Sequence, residues 1–145
     1  MTRIDFYVLQ DTDPGKRLHT ACRLIHKAYG FGHRVYVHTG SAGLSRQLDE
    51  LLWTFRDTAF IPHQVEGDDP DCPVQITHDR EPAVAGQFLL NLDPQVPLFF
   101  SRFERVAEIV NQDPAVRDPG RERYRFYRDR GYDLTHHSLD AASAS

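Results

Sequence analysis

The chain has 145 residues, 40% of them hydrophobic and 26% charged, and carries a net charge of −4 at pH 7. That length suits one domain with its own core, and no apolar run approaches the roughly 20 residues of a membrane span. The opening MTRIDFYVLQ enters an apolar segment at once and lacks the pattern of an export signal, so Cys22 and Cys72 are read as reduced thiols of a cytoplasmic protein.

In chain order, IDFYVL reads as a buried strand and QDTDPG as the loop that follows it. From Leu18 the apolar positions Ala21, Cys22, Ile25, Ala28 and Tyr29 recur at helical spacing, and Gly30 and Gly32 close the helix. RVYVHT is a second strand. Ser41 opens a second helix, whose stripe is Leu44, Leu48, Leu51, Leu52 and Trp53. Residues 54–73 are irregular, with an apolar knot, AFIPH, and an acidic loop, EGDDPDCP; the short strands PVQIT and QFLLNL follow. LFFSRFERVAEIV reads as a helix, with Phe99, Phe103, Val106, Ala107 and Val110 on one side. Asp118-Pro119 has the chemistry of an N-cap followed by Pro at the first helical position, which starts the last helix at the Arg-rich stretch. His136-His137 is read as surface and residues 140–145 as a disordered tail, leaving one domain over 1–139. Strands alternating with helices predict an α/β fold: a single three-layer Rossmann-like domain with a mainly parallel sheet.

Ligands of such a sheet bind at the carboxyl ends of its strands. Asp11 and Asp13 follow the first strand, and with Asp68 and Asp69 as magnesium ligands they would make a small phosphatase. Gln10 separates the strand from Asp11, however, and Asp68-Asp69 sit in a loop, so solvated turns are the preferred reading. Neither GxGxxG nor GxxxxGK[ST] occurs, and Gly30-Phe31-Gly32 and Gly40-Ser41-Ala42-Gly43 are read as helix caps and turns rather than a nucleotide site. His19, Cys22 and His26 share a helix face, but a structural zinc needs four ligands and only the distant Cys72 or His78 would complete the set. No metal, cofactor or catalytic residue is assigned.

RERYRFYRDRGY, residues 121–132, is different. Residues 121–130 carry +3 while the rest of the chain carries −7, too local a charge for a general grip on nucleic acid. At about 100° per residue, Arg121, Tyr124, Arg125 and Arg128 share one helix sector, with Phe126 turned toward the core and Glu122 and Asp129 projecting elsewhere. Planar guanidiniums grip carboxylates in two places and a ring supplies an apolar wall, a surface suited to an acidic peptide with a hydrophobic end. Single-stranded DNA stacked on Tyr124 and Tyr127 is the rival use of such a strip, against which the net charge argues.

FYVL, GHRVYVHT, LDELLWTFRDTAFIPHQV and RERYRFYRDRGYDL, in this order and at this chain length, resemble the chi subunit of bacterial DNA polymerase III holoenzyme. The resemblance implies a Rossmann-like, non-catalytic adaptor without cofactors. Its partners would be the psi subunit, through which it joins the clamp loader, and the acidic C-terminal tail of single-stranded DNA-binding protein (SSB). Carried onto this chain, it places the tail site at Arg121, Tyr124 and Arg125, with Arg117 and Val110 lining it and Arg128 nearby. The psi-binding patch falls on Trp53, Phe60, Ile61 and Pro62, although Trp53 reads equally well as core. The chain departs from the family at Asp118-Pro119-Gly120, where a helix break would displace Arg117.

Overall fold

The computed structural model describes residues 2–55, 60–82 and 86–139. Apolar runs form the strands β1 (Arg3–Leu9), β2 (Val35–His38), β4 (Val74–Thr77), β5 (Gly86–Asn91) and β6 (Phe103–Val110), and the more polar segments β3 (His63–Val65) and β7 (Asp133–Leu139) pair at the two edges. The helices are α1 (Pro14–Gly30), α2 (Ala42–Thr54) and α3 (Pro114–Asp129). The described strands build one parallel sheet in the order β3-β4-β2-β5-β6-β1-β7. The connections after β1 and β2 step toward the β3 edge and those after β3, β4, β5 and β6 step toward the β7 edge. Right-handed crossovers therefore place α1 and α2 on one face and α3 on the other, which is the expected three-layer architecture. One core cluster joins Ile25 of α1 and Leu48 of α2 to Val37, Leu90 and Ile109; the other joins Tyr127 of α3 to Ile4, Phe6 and Val106.

Helix starts follow their capping chemistry. Asp13 accepts from the Gly15 amide at 2.8 Å with Pro14 at the first helical position of α1, and Ser41 accepts from the Leu44 amide at 3.1 Å at the start of α2.

Three expectations are corrected. Residues 98–110 are not a helix: a 3-10 turn at Phe100–Arg102 leads into β6. Strand β6 lies between β5 and β1 and is buried on both faces, so its apolar residues form a dense run that also satisfies helical spacing. Helix α3 starts five residues before the expected point, because Asp113-Pro114 supplies the same signal as Asp118-Pro119 directly after β6; Asp113 accepts from the Ala115 amide at 3.1 Å. Pro119 then lies inside the helix, where it removes only the donor to the Ala115 carbonyl, and the helix does not break. His136 and His137 belong to β7 rather than to a frayed end: His136 is exposed, as expected, whereas His137 is half-buried with its Nε2 3.0 Å from Asp5 Oδ1. The tail 140–145 lies outside the described residues.

Candidate protein-docking site

The crevice at the carboxyl ends of the strands is occupied by the protein itself. Gln112 bridges β6 to β1, its amide donating to the Asp11 carbonyl at 2.8 Å and its side chain to the Leu9 carbonyl at 2.9 Å. Between β2 and β5, the Asp93 carboxylate sits 2.9 Å from His38 Nε2 and packs against Gly40, where an added Cβ would come 2.6 Å from Asp93 Cγ. An anion at the start of α2 would thus meet a carboxylate already in place. Asp11 pairs with Lys16 at 3.3 Å and Asp13 is a helix cap. Asp68 pairs with Arg80 at 3.0 Å beside β3, five strands from β1, or roughly 24 Å at the usual strand spacing. These carboxylates cannot share one cation. The Cys22 side chain faces the core, so it does not complete a site with His19 and His26, which lean on Phe55 at 5.0 and 6.2 Å. Cys72 and His78 lie beyond β2, His78 held by Ser45 and Glu66 at 3.1 and 3.2 Å. Among the described residues no group of three His, Cys, Asp or Glu is placed to hold a metal.

The Arg-rich helix divides into an inner and an outer face. Gly120, Arg123 and Tyr127 are its buried residues, which puts Arg123 and Tyr127 in the core, while Phe126 is only half-buried under the Arg130 guanidinium. Glu108 on β6, fully buried, organises them: it accepts from Arg123 Nε at 2.9 Å, Tyr127 Oη at 2.8 Å and Asn91 Nδ2 at 2.9 Å. Arg123 also donates to the Pro94 carbonyl at 2.9 Å. Burial, and then the charge and hydrogen bond of Glu108, hold the Tyr127 phenol far above its ordinary range. On the other face of the sheet Arg17 donates to the Ile109 carbonyl at 2.9 Å, and burial, followed by Arg123, lowers its pKa to about 10. This network fixes α3 to β6. Sequence reasoning missed it, although Gly120, Arg123 and Tyr127 already have the spacing of a helix stripe.

Arg117, Arg121, Tyr124, Arg125 and Arg128 lie on the outer face together, as expected. The Tyr124 ring is half-buried edge-on to Phe6 at 5.3 Å. Val110, at the end of β6, packs under Gly120 beside that ring. Side chains of Arg121, Arg125 and Arg128 are 61%, 54% and 58% exposed, and Arg117 is 33% exposed. Glu122 and Asp129 do reach this sector, contrary to expectation: Glu122 pairs with Arg125 and Asp129 with Arg128 at 3.1 Å, while Asp118 lies 3.1 Å from Arg117 and 3.9 Å from Arg121. Long side chains bring neighbouring charges together where backbone angle alone keeps them apart. Exposed pairs of this kind contribute little, so the guanidiniums can exchange them for another carboxylate.

At the end of α2, Trp53 and Phe60 are 57% and 62% exposed with their rings 5.1 Å apart, and His63 backs Trp53 at 5.0 Å. Trp53 is therefore surface. Ile61 is 2% exposed and belongs to the core, which removes it from the expected patch; its side chain follows the inward side of the chain entering β3. Pro62 is half-buried. The neighbouring residues 56–59 lie outside the described ones.

The family model for the DNA polymerase III chi subunit, HolC, matches residues 1–135. The chain belongs to the chi family. It is similar to the DNA polymerase III subunit chi of Pseudomonas aeruginosa, 43% identical over 139 residues that cover 96% of this chain and 98% of that one. The subunits chi of Haemophilus influenzae and Escherichia coli are 26% and 27% identical, over 90% and 78% of this chain and 92% and 79% of theirs. The match to the chi family covers both surfaces described above and makes the chain an accessory subunit of a replicative polymerase. Among the described residues no helix is long and apolar enough to cross a membrane.

Proposed function

We propose that this chi-family chain is a non-catalytic adaptor that joins the clamp loader, through psi, to the acidic C-terminal tail of SSB. The observation that carries this reading is the outer face of α3, where exposed guanidiniums surround the half-buried Tyr124 ring beside Val110. Arg121 and Arg125 clamp the tail's carboxylates, Arg117 and Arg128 add positive charge at the margins, and Tyr124 with Val110 receives a terminal phenylalanine. The exposed Trp53–Phe60 pair is the psi-binding patch, Pro62 forms its edge, and Ile61 supports it from the core. Nucleic acid has no tight site on α3, since the second ring such a strip needs, Tyr127, is 0% exposed.

The test is calorimetric titration with an SSB-tail peptide. Arg121→Ala and Arg125→Ala should each weaken binding roughly tenfold, about 1.4 kcal/mol, and amidating the peptide's C-terminus should do the same. Wild-type affinity in both variants, or indifference to amidation, refutes the assignment.

A further inference from the structure

Strands β1 and β7 carry a second basic and aromatic surface on the face opposite α3. Ile4 and Phe6 point into the cluster under α3, so Arg3, Asp5, Tyr7 and Leu9 point the other way. Parallel register sets Arg3 beside Arg105, Tyr7 beside His137 and Leu9 beside Leu139. Helix α1 packs on β6, β5 and β2. At its margin lies a groove of about 430 Å³, with Tyr7 and Leu139 on the sheet side and Thr20, Arg23, Leu24 and Lys27 on the helix side.

The sheet edge beside this groove is held rigidly, and Tyr7 joins it to the groove lining. Tyr7 and His137 stack with centroids 4.6 Å apart and planes at 10°. The fully buried Asp5 carboxylate fixes His137 and Arg105, 3.0 Å from His137 Nε2 and 2.6 Å from Arg105 Nε. Strand β7 is the sheet edge, and among the described residues no further ring stacks on His137, whose side chain is 35% exposed. The outer face of the imidazole is thus the end of a ring stack that a planar base can extend. Lys27 on the groove wall and Arg3 and Arg105 on the adjoining strands stand against Asp5 and Asp133, an excess of one positive charge on a protein whose net charge is −4.

We propose that this groove is a weak, sequence-tolerant binding site for single-stranded nucleic acid. A base continues the Tyr7–His137 stack, and the adjoining phosphates lie between Lys27 on the helix wall and Arg105 and Arg3 on the sheet. Stacking on a ring accepts any base, and two or three neutralised phosphates give a shallow salt slope, about −1.4 to −2.1 in log–log form. An acidic peptide would use the cations but not the ring. The site is on the opposite face of β1 from Tyr124, so α3 remains available while the groove is filled.

The experiment is fluorescence anisotropy with a labelled oligo-dT of about 12 nucleotides at low and near-physiological salt. Lys27→Glu and His137→Gln should each lower affinity at least about fivefold at low salt, His137→Tyr should stay within about twofold of wild type, and Arg121→Ala should leave binding unchanged. Should His137→Gln lower the melting temperature, Lys27→Glu decides the matter. The proposal is overturned by absence of binding at low salt, by loss in Arg121→Ala without loss in Lys27→Glu, or by polyglutamate competing as well as unlabelled oligonucleotide. Wild-type affinity in His137→Gln would remove the stacking role and with it the proposal.

Discussion

Adding one methyl group at Gly120 sets two effects of opposite sign against each other. At an exposed helix position Gly→Ala stabilises by about 0.8–1.0 kcal/mol, because alanine loses less backbone freedom. At Gly120 the new Cβ would lie 2.6 Å from Val110 Cγ1 and 3.5 Å from Val110 Cβ, whereas carbon contacts prefer about 3.5–4.0 Å. Val110 is 7% exposed and β-branched, on a strand paired with β1, so it cannot turn aside freely. The helix must lift by about 1 Å instead, an overpacking cost of about 1–3 kcal/mol. Lifting also stretches the bonds from Arg123 and Tyr127 to Glu108, now 2.9 and 2.8 Å. The net expectation is a loss of roughly 0–2 kcal/mol, together with weaker tail-peptide binding as Tyr124 moves relative to Val110. Urea unfolding followed by circular dichroism measures the first, in a double-mutant cycle with Val110→Ala. Removing the obstructing methyl should make Gly120→Ala favourable again, with a coupling of at least about 1 kcal/mol. A stabilised Gly120→Ala protein, or additive single and double variants, would show that α3 does not rest on Val110.

Phe60→Ala should change stability by less than about 0.5 kcal/mol and abolish most psi binding in a pull-down or titration, whereas Ile61→Ala should cost about 2–5 kcal/mol of stability; equal stability losses would deny the division between patch and core. Tyr127→Phe removes a donor from the buried Glu108 carboxylate and should cost about 1–3 kcal/mol in urea melts, with no change meaning that Asn91 and Arg123 suffice. Burial pushes the Cys22 thiol up from 9.0 to about 12. The unfolded thiol ionises first, so its contribution is intact below about pH 9 and falls by up to about 1.4 kcal/mol per pH unit above it. Cys22→Ala should therefore flatten the stability profile between about pH 9 and 11, and an unchanged slope would show that another group controls it.

The apolar runs of IDFYVL and RVYVHT, the helical spacing from Leu18 and the cap at Ser41 were sufficient to place β1, β2, α1 and α2, because the pattern that marks each is complete within a few consecutive residues. The outer residues of α3 were legible for the same reason: angular position on a helix follows from spacing alone. What defeated local reading were features that depend on neighbours distant in sequence. FERVAEIV carries both periods, and only its position between β5 and β1 makes it a strand. Asp113-Pro114 and Asp118-Pro119 are equivalent signals until the end of β6 selects the first.

Charge was least legible of all. A sequence gives the sign of Arg123 but not its destination, and the stretch RERYRFYRDRGY mixes arginines that face water with one that crosses the core boundary to Glu108. The same holds for His137, whose partner Asp5 lies 132 positions away, and for Ile61, which one residue of chain direction separates from the exposed Phe60. Local spacing determined which residues share a helix face. Only the packed sheet decided which charges are neutralised and which apolar side chains are left at the surface, because burial and Coulomb partners are set by contacts between strands and helices that the linear order does not contain.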